Sequence, residues 1–147
     1  DPAVQDLGLE GYFVISLMLW NLVRDVHPKI FKDPFWHADE AETSIALYTH
    51  PEFVDMSKAA KEYPTSFLDS KFVEGPSETK TSYAGGFWQG TWAEPEYKDL
   101  KKGIIGDATK ATREKGEKYV NKVIERFVEL VSHIKARYPA GVKPKVQ

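Results

Sequence analysis

The residues best suited to chemistry in this 147-residue chain lie at positions 36–44, where a histidine precedes several carboxylates. Asp39 and Glu42 have the spacing of a capping box, with Asp in place of Ser or Thr, and this predicts a helix that begins after Asp39. His37 then lies just outside the helix N-terminus, where backbone N–H groups favour its neutral form. The neighbouring carboxylates favour its cation instead. A histidine under such opposing influences suits proton transfer near neutral pH.

The same residues also have a purely structural interpretation. Asp39 and Glu42 then only cap the helix, and His37 is an ordinary polar residue of the preceding loop. The chemistry of these side chains leaves both interpretations open. The sequence contains no phosphate-binding glycine loop, no Gly-x-Ser-x-Gly elbow and no cysteine nucleophile. Activated-water chemistry is therefore the enzymatic class that fits best.

Three segments of the chain resemble those of the creatininase family, a group of metal-dependent amidohydrolases. Residues 37–44 are similar to the signature His-Ala-Gly-Glu-x-Glu-Thr-Ser, with Asp39 in place of the glycine. Residues 103–116 resemble the family's Gly-Val-x-Gly-Asp-Pro-x-x-Ala-Thr-x-Glu-Lys-Gly segment, which leads into its last helix. Residues 51–56 resemble the Pro-x-Leu-Val-Asp segment that follows the histidine motif. The segments occur in the family's order and together cover residues from about 36 to 138.

The metal ligands of that family lie in its N-terminal half. They come from a Glu-x-His-Gly segment, a nearby Asp and an Asn-Gly-His-x-x-Asn turn, and none of these patterns occurs in this sequence. The resemblance therefore implies that residues 1–147 are the C-terminal half of a creatininase-like domain. A separate polypeptide with the N-terminal half is then the expected partner, holding one or two divalent ions of zinc or manganese. The resemblance also implies a hexamer-like assembly.

The resemblance further implies roles for individual side chains. His37 is expected to act as a general acid or to hydrogen-bond the tetrahedral intermediate, and Glu42 to orient His37 or the attacking water. Glu40 is a weaker acidic candidate for catalysis. Trp20 corresponds to a family tryptophan beside the active site, and Asp33 lies where related enzymes place substrate contacts. The predicted substrate-binding residues are Trp20, Asp33, Trp36, Tyr83, Trp88 and Trp92.

Three of those residues belong to an aromatic and glycine-rich stretch at positions 82–92. Long irregular stretches of this kind in a compact domain are usually functional or mobile. Tyr83, Trp88 and Trp92 can present flat apolar faces to a small ring, or they can pack against a neighbouring subunit. The sequence leaves these two roles open.

Hydrolysis of a small cyclic amide or ketone by activated water is the first function that the resemblance implies. The family also contains enzymes that hydrolyse a C–C bond in an oxidised cyclitol, and this is the first alternative. The second alternative comes from a different class, a non-catalytic binding or assembly subunit that retains the fold. His37 together with Glu42 favours an enzyme, because a subunit without chemistry has no need of both.

The elements that must position these residues follow from hydrophobic patterning. Residues 11–20 form a nearly continuous apolar run, which predicts a strand buried on both faces, as in a mostly parallel sheet flanked by helices. The fold class is therefore expected to be α/β. Helices are predicted over residues 39–49, over a short helical piece at residues 52–61, and from a cap at Asp107 or Thr109 to about Arg137. Gly116 within the last helix predicts close backbone packing against a neighbouring element.

Composition excludes several other classes of protein. Hydrophobic residues make up 41% of the chain, its formal net charge is −2 and it contains no cysteine. This balance gives no footprint for nucleic acid or for an anionic membrane surface. No apolar run approaches the ~20 residues that a membrane-spanning helix requires. A soluble protein of the cytoplasm, with a small-molecule substrate, is the expectation.

Overall fold

The computed structural model describes residues 2–33, 37–63 and 101–142. Four α-helices in these ranges are α1 Pro2–Leu9, α2 His27–Ile30, α3 Glu40–Thr49 and α4 Arg113–Arg137. Short 3-10 helices occupy Leu19–Val23, Pro51–Phe53, Met56–Lys58 and Ala108–Lys110. Two strands, β1 Lys61–Glu62 and β2 Gly106–Asp107, pair antiparallel with Lys61 opposite Asp107 and Glu62 opposite Gly106.

Contacts divide the chain into two compact units. Residues 1–24 and 121–147 form one unit, and residues 25–120 form the other. Helix α4 runs through both. The unit of residues 25–120 contains α2, α3, the strand pair and the first part of α4, and it holds the histidine motif.

The close contact between α3 and α4 positions that motif. A Cβ atom added to Gly116 would lie 1.9 Å from the backbone oxygen of Ser44 and 3.0 Å from Cβ of Tyr48. The two helices therefore touch through backbone, as the sequence predicts. Ser44 strengthens the contact because its hydroxyl donates to the carbonyl oxygen of Glu40 at 2.6 Å and accepts from the backbone N–H of Thr112 at 3.1 Å.

Helices α3 and α4 confirm the two longer helices predicted from the hydrophobic pattern, but α4 begins later than predicted. Asp107 caps only the short 3-10 helix Ala108–Lys110, and the chain turns extended at Ala111 before α4 begins. The N-cap of α4 is Thr112, whose hydroxyl accepts from the backbone N–H of Lys115 at 3.2 Å. The predicted short helical piece within 52–61 corresponds to two 3-10 turns, and strand β1 begins at its last residue.

The predicted strand at residues 11–20 is wrong. Residues 12–18 form neither helix nor strand, and the following 3-10 helix Leu19–Val23 contains Trp20. The apolar side chains of this segment are exposed, Tyr12 by 63%, Phe13 by 52% and Met18 by 54%. A doubly buried strand needs neighbouring strands for its backbone groups and covering elements for both faces. Among the described residues no strand pairs with this segment, and no parallel strands occur there.

None of the helices in the described ranges combines the length and the apolar character that crossing a membrane requires.

The α3–α4 contact generates a prediction for stability. Gly116→Ala places a methyl group against the backbone of Ser44, so we expect it to lower the free energy of unfolding by about 1–3 kcal/mol. Gly8→Ala is the matched control, since a Cβ there meets nothing within 4 Å. Gly8 lies in helix α1, where alanine stabilises by about 0.5–1 kcal/mol. Urea denaturation of both variants measures the difference, and equal stabilities for the two variants would contradict the packing.

Candidate active site

An antiparallel backbone bridge brings the histidine motif and the segment before α4 together. The backbone N–H of Ile105 donates to the carbonyl oxygen of His37 at 2.8 Å, and the N–H of His37 donates in return to Ile105 at 3.5 Å. Ile105 is buried. The backbone of His37 is therefore fixed against the interior while its side chain remains 68% exposed.

The predicted cap of helix α3 is present. Oδ1 of Asp39 accepts from the backbone N–H groups of Ala41 at 2.8 Å and Glu42 at 2.9 Å. The Glu42 carboxylate reaches back to the N–H of Ala38 at 2.6 Å, one residue before the cap itself. Two polar side chains thus satisfy three backbone donors around the helix start, which confirms the capping prediction with this one-residue offset.

Asp39, which occupies the position of the family's glycine, is fully buried. Its carboxylate binds the N-terminal N–H groups of α3, so its charge lies where the helix dipole stabilises it. The residue before it, Ala38, has a φ of 47°, in the left-handed region that side chains seldom adopt. Gly106 makes room for Asp39, because a Cβ at Gly106 would lie 2.5 Å from Cβ of Asp39. The backbone of Gly106 has a φ of 138°, which also favours glycine.

His37 and Glu42 form the accessible part of the site. Nδ1 of His37 lies 4.0 Å from Oε2 of Glu42, whose side chain is 39% exposed. This separation is too long for a hydrogen bond, so the two side chains are neighbours without a direct bond. The Glu42 carboxylate is itself held by the Ala38 N–H. The arrangement can therefore present a proton donor to a small molecule from a fixed backbone.

Glu40 occupies a structural position. Its side chain is 1% exposed, with Oε1 2.5 Å from Nζ of Lys115 and Oε2 accepting from the backbone N–H of Lys32 at 2.7 Å. Lys115 also donates to the carbonyl oxygen of Lys110 at 2.7 Å. This partly buried ion pair links the start of α3 to the start of α4. Both carboxylate oxygens of Glu40 therefore have partners within the protein. The catalytic role of Glu40 stays a prediction.

Asp33 is buried as well, and both of its carboxylate oxygens accept hydrogen bonds within the protein. The donors are the hydroxyl of Tyr63 and the backbone N–H of Asp107, each at 2.7 Å. These bonds show that the carboxylate connects segments that are distant in the sequence. The predicted contact between Asp33 and a substrate stays a prediction.

Charged groups beside β2 are strongly paired. Burial raises the pKa of Asp107, but hydrogen bonds from Thr109 and Lys110 outweigh it and hold that pKa below its usual range. The ammonium group of Lys110 lies 2.9 Å from Asp107, and this bond raises the pKa of Lys110. Burial, assisted by the charge of Asp39, raises the pKa of Tyr119 to about 12. These three groups therefore keep one charge state over the physiological range.

Five other predicted residues are not among the described residues of the unit of residues 25–120. Trp20 is 41% exposed and belongs to the unit of residues 1–24 and 121–147. Four further predicted contacts lie outside the described residues, namely Trp36, Tyr83, Trp88 and Trp92. Sequence reasoning missed Ile105 and Tyr63 as supports of the site, because their hydrogen bonds join segments that are far apart in the sequence and leave no spacing signal.

The residues present do not fit a metal centre. In the ranges 2–33, 37–63 and 101–142, no group of three or more His, Asp or Glu side chains could hold a metal ion. Glu40, Asp39 and Asp33 are engaged with protein donors. This part of the chain therefore supplies no complete ligand set.

Comparison with known proteins identifies the family. The family model Creatininase, described as creatinine amidohydrolase, matches residues 3–131. The chain belongs to the creatininase family. The 3-dehydro-scyllo-inosose hydrolase of Thermotoga maritima is 29% identical over 117 residues, which are 80% of this chain and 38% of that protein.

Solved structures agree in fold. A structure of a putative creatinine amidohydrolase from Bacteroides fragilis is 24% identical with a TM-score of 0.63, covering 89% of this chain and 47% of that one. A structure described as creatininase Mn is 19% identical with a TM-score of 0.57, covering 94% of this chain and 48% of that one. The fold is thus creatininase-like, and the chain spans about half the length of these structures and 38% of the Thermotoga relative.

The buried cap generates a second prediction. Asp39→Ala removes the acceptor for two N–H groups and leaves them in a buried site, so we expect it to lower the free energy of unfolding by about 2 kcal/mol. Asp55→Ala is the control, because Asp55 caps the exposed turn Met56–Lys58 in the same way. Thermal or urea denaturation of both variants gives the comparison. A loss for Asp39→Ala no larger than that for Asp55→Ala would contradict the role of the buried cap.

Proposed function

We propose that this chain contributes the proton-handling part of a creatininase-family hydrolase that opens a small cyclic ketone or amide. His37 is the general acid, and Glu42 positions it. The observation that carries this proposal is the exposed imidazole 4.0 Å from a carboxylate, on a backbone fixed by Ile105. A proton donor at a rigid position is what general acid catalysis requires.

The reaction adds the elements of water across one bond of the ring. The hydroxide portion bonds to the carbonyl carbon, and the bond from that carbon to nitrogen or carbon breaks. The released atom leaves with the electron pair of the broken bond and must receive a proton. His37 donates that proton, and the proton that water loses returns His37 to its starting form, so the reaction balances. Such transfer contributes about 10²–10⁴-fold in rate.

The substrate class is proposed as a small neutral ring that carries a carbonyl group. The Thermotoga relative acts on 3-dehydro-scyllo-inosose, an oxidised cyclitol, and this supports the C–C bond hydrolysis of a ring ketone for this chain. Cyclic amides, as in creatinine, remain within the same proposal because the family model carries that activity in its description. Both classes need the same proton from the same residue.

The metal and the rest of the active site are proposed to come from outside the described residues. The manganese form of a creatininase structure supports a divalent metal, zinc or manganese. A second polypeptide with the remaining part of the fold is the proposed source, which agrees with coverage of about half of the solved chains. The exposed apolar segment 12–20 supports such a partner, since contiguous apolar surface marks an interface. A hexamer-like assembly and a cytoplasmic location belong to the same proposal.

A non-catalytic binding or assembly subunit is the second candidate. The lack of a metal-binding group among the described side chains favours it. The retained pair of His37 and Glu42 favours the enzyme instead. Loss of a measurable rate on substitution of His37 separates the two.

The test compares two histidine variants of the protein expressed from its complete coding sequence with Mn²⁺ or Zn²⁺ present. His37→Gln removes the proposed acid, so we expect kcat for 3-dehydro-scyllo-inosose or creatinine to fall by about 10²-fold or more. His133→Gln is the control, because His133 is another exposed histidine and lies on α4. The control is expected to retain the wild-type rate, and circular dichroism checks the fold of both. Wild-type kcat in His37→Gln would remove His37 from the mechanism.

A further inference from the structure

One buried carboxylate joins the two strands that flank the site. Oδ1 of Asp33 accepts from the Tyr63 hydroxyl at 2.7 Å, and Tyr63 directly follows β1. Oδ2 accepts from the backbone N–H of Asp107 at 2.7 Å, and Asp107 is the last residue of β2. The side chain of Asp33 is only 4% exposed. The carboxylate therefore has a separate bond to each side of the antiparallel pair.

The strand held by Asp33 is continuous with the residue that fixes His37. Asp107 and Gly106 follow Ile105, whose backbone forms the bridge to His37. Gly106 lies against the same carboxylate, since a Cβ there would be 3.3 Å from Oδ2 of Asp33. A displacement of β2 would move Ile105 and, through the two bridge hydrogen bonds, the backbone of His37.

Other bonds keep Asp33 itself in place. Its carbonyl oxygen is 2.8 Å from Nε2 of His27, which donates to it. The ring of His27 packs against Phe31 at 5.0 Å and against the buried Tyr119 at 5.8 Å between centroids. The carboxylate is thus anchored by packing on one side and reaches the strand pair on the other.

We infer that Asp33 is a positioning residue for the proposed acid His37 rather than a substrate ligand. This inference rests on the proposed function, which it deepens by adding a residue that acts through the backbone of Ile105. Both carboxylate oxygens already accept from protein donors, and Asp33 is only 4% exposed, so a substrate has little access to them. Misplacement of a catalytic group by about 1 Å can cost about 10²-fold in rate.

The chemistry of the two donors decides which variants test this role. A backbone N–H can only donate, whereas a tyrosine hydroxyl can donate or accept. In Asp33→Asn the side-chain oxygen can still accept from Asp107, and the new NH₂ group can donate to the Tyr63 hydroxyl. Asp33→Ala leaves the buried N–H of Asp107 without its acceptor. Tyr63→Phe removes one bond and leaves the other.

Hydrogen exchange tests the positioning without any assay of activity. In Asp33→Ala we expect at least a 10-fold faster exchange of the Ile105 and Asp107 amides, with the amides in the middle of α4 unchanged. Asp33→Asn is expected to keep near wild-type exchange at both amides. Wild-type exchange at Ile105 in Asp33→Ala would overturn the inference. If Asp33→Ala does not fold, Tyr63→Phe carries the test, with Asp33→Asn as its control. Loss of the Tyr63 hydroxyl leaves Oδ1 without its donor, so the carboxylate holds the Asp107 N–H less firmly and faster exchange at Asp107 is expected in Tyr63→Phe only. Wild-type exchange at Asp107 in Tyr63→Phe would then overturn the inference.

Kinetics on the protein from its complete coding sequence separate positioning from substrate binding. If Asp33 positions His37, Asp33→Ala is expected to lower kcat per folded molecule by about 10²-fold and to change KM less than threefold. Asp33→Asn is then expected to keep most of the wild-type kcat. A substrate ligand predicts a raised KM in both variants and no effect of Tyr63→Phe, and that result overturns the inference. If wild-type protein shows no turnover, the proposed function fails, and hydrogen exchange still decides the position of Ile105.

Discussion

The pair of backbone hydrogen bonds between His37 and Ile105 is the constraint on which the rest of the site depends. It joins the histidine motif to the segment before α4, so that two motifs far apart in the sequence become one structure. The join requires Gly106, because Asp39 fills the space that a side chain would take. Asp39 in turn caps α3, and α3 packs on the backbone of α4 at Gly116.

The interior of this unit is held by charged groups as much as by apolar ones. Asp33, Asp39, Glu40 and Asp107 are all buried, and each is matched by a lysine or by backbone N–H groups. Removing one partner from such a site leaves a buried charge or donor unpaired, which costs more than the bond contributes. A polar interior of this kind suits the role proposed for this unit, which is to hold one exposed histidine in place.

Local patterns in the sequence predicted local structure well. The cap at Asp39, the helix over Glu40–Thr49, the end of α4 at Arg137 and the close packing at Gly116 all follow from spacing and residue type. The prediction of a strand at residues 11–20 was wrong, because an apolar run indicates that a segment prefers burial but does not show which elements cover it. The roles of Asp33 and Ile105 were not accessible, since long-range hydrogen bonds leave no spacing signal in a single sequence.

The central claim is that His37 belongs to a metal-dependent hydrolase completed by polypeptide beyond the described residues. Native mass spectrometry with metal analysis on the purified active protein tests it most directly. The account predicts a species that contains this sequence together with further polypeptide, and divalent metal in proportion to it. A folded, active species of these 147 residues alone would contradict the need for completion. A stable, metal-free species without activity would contradict the hydrolase itself.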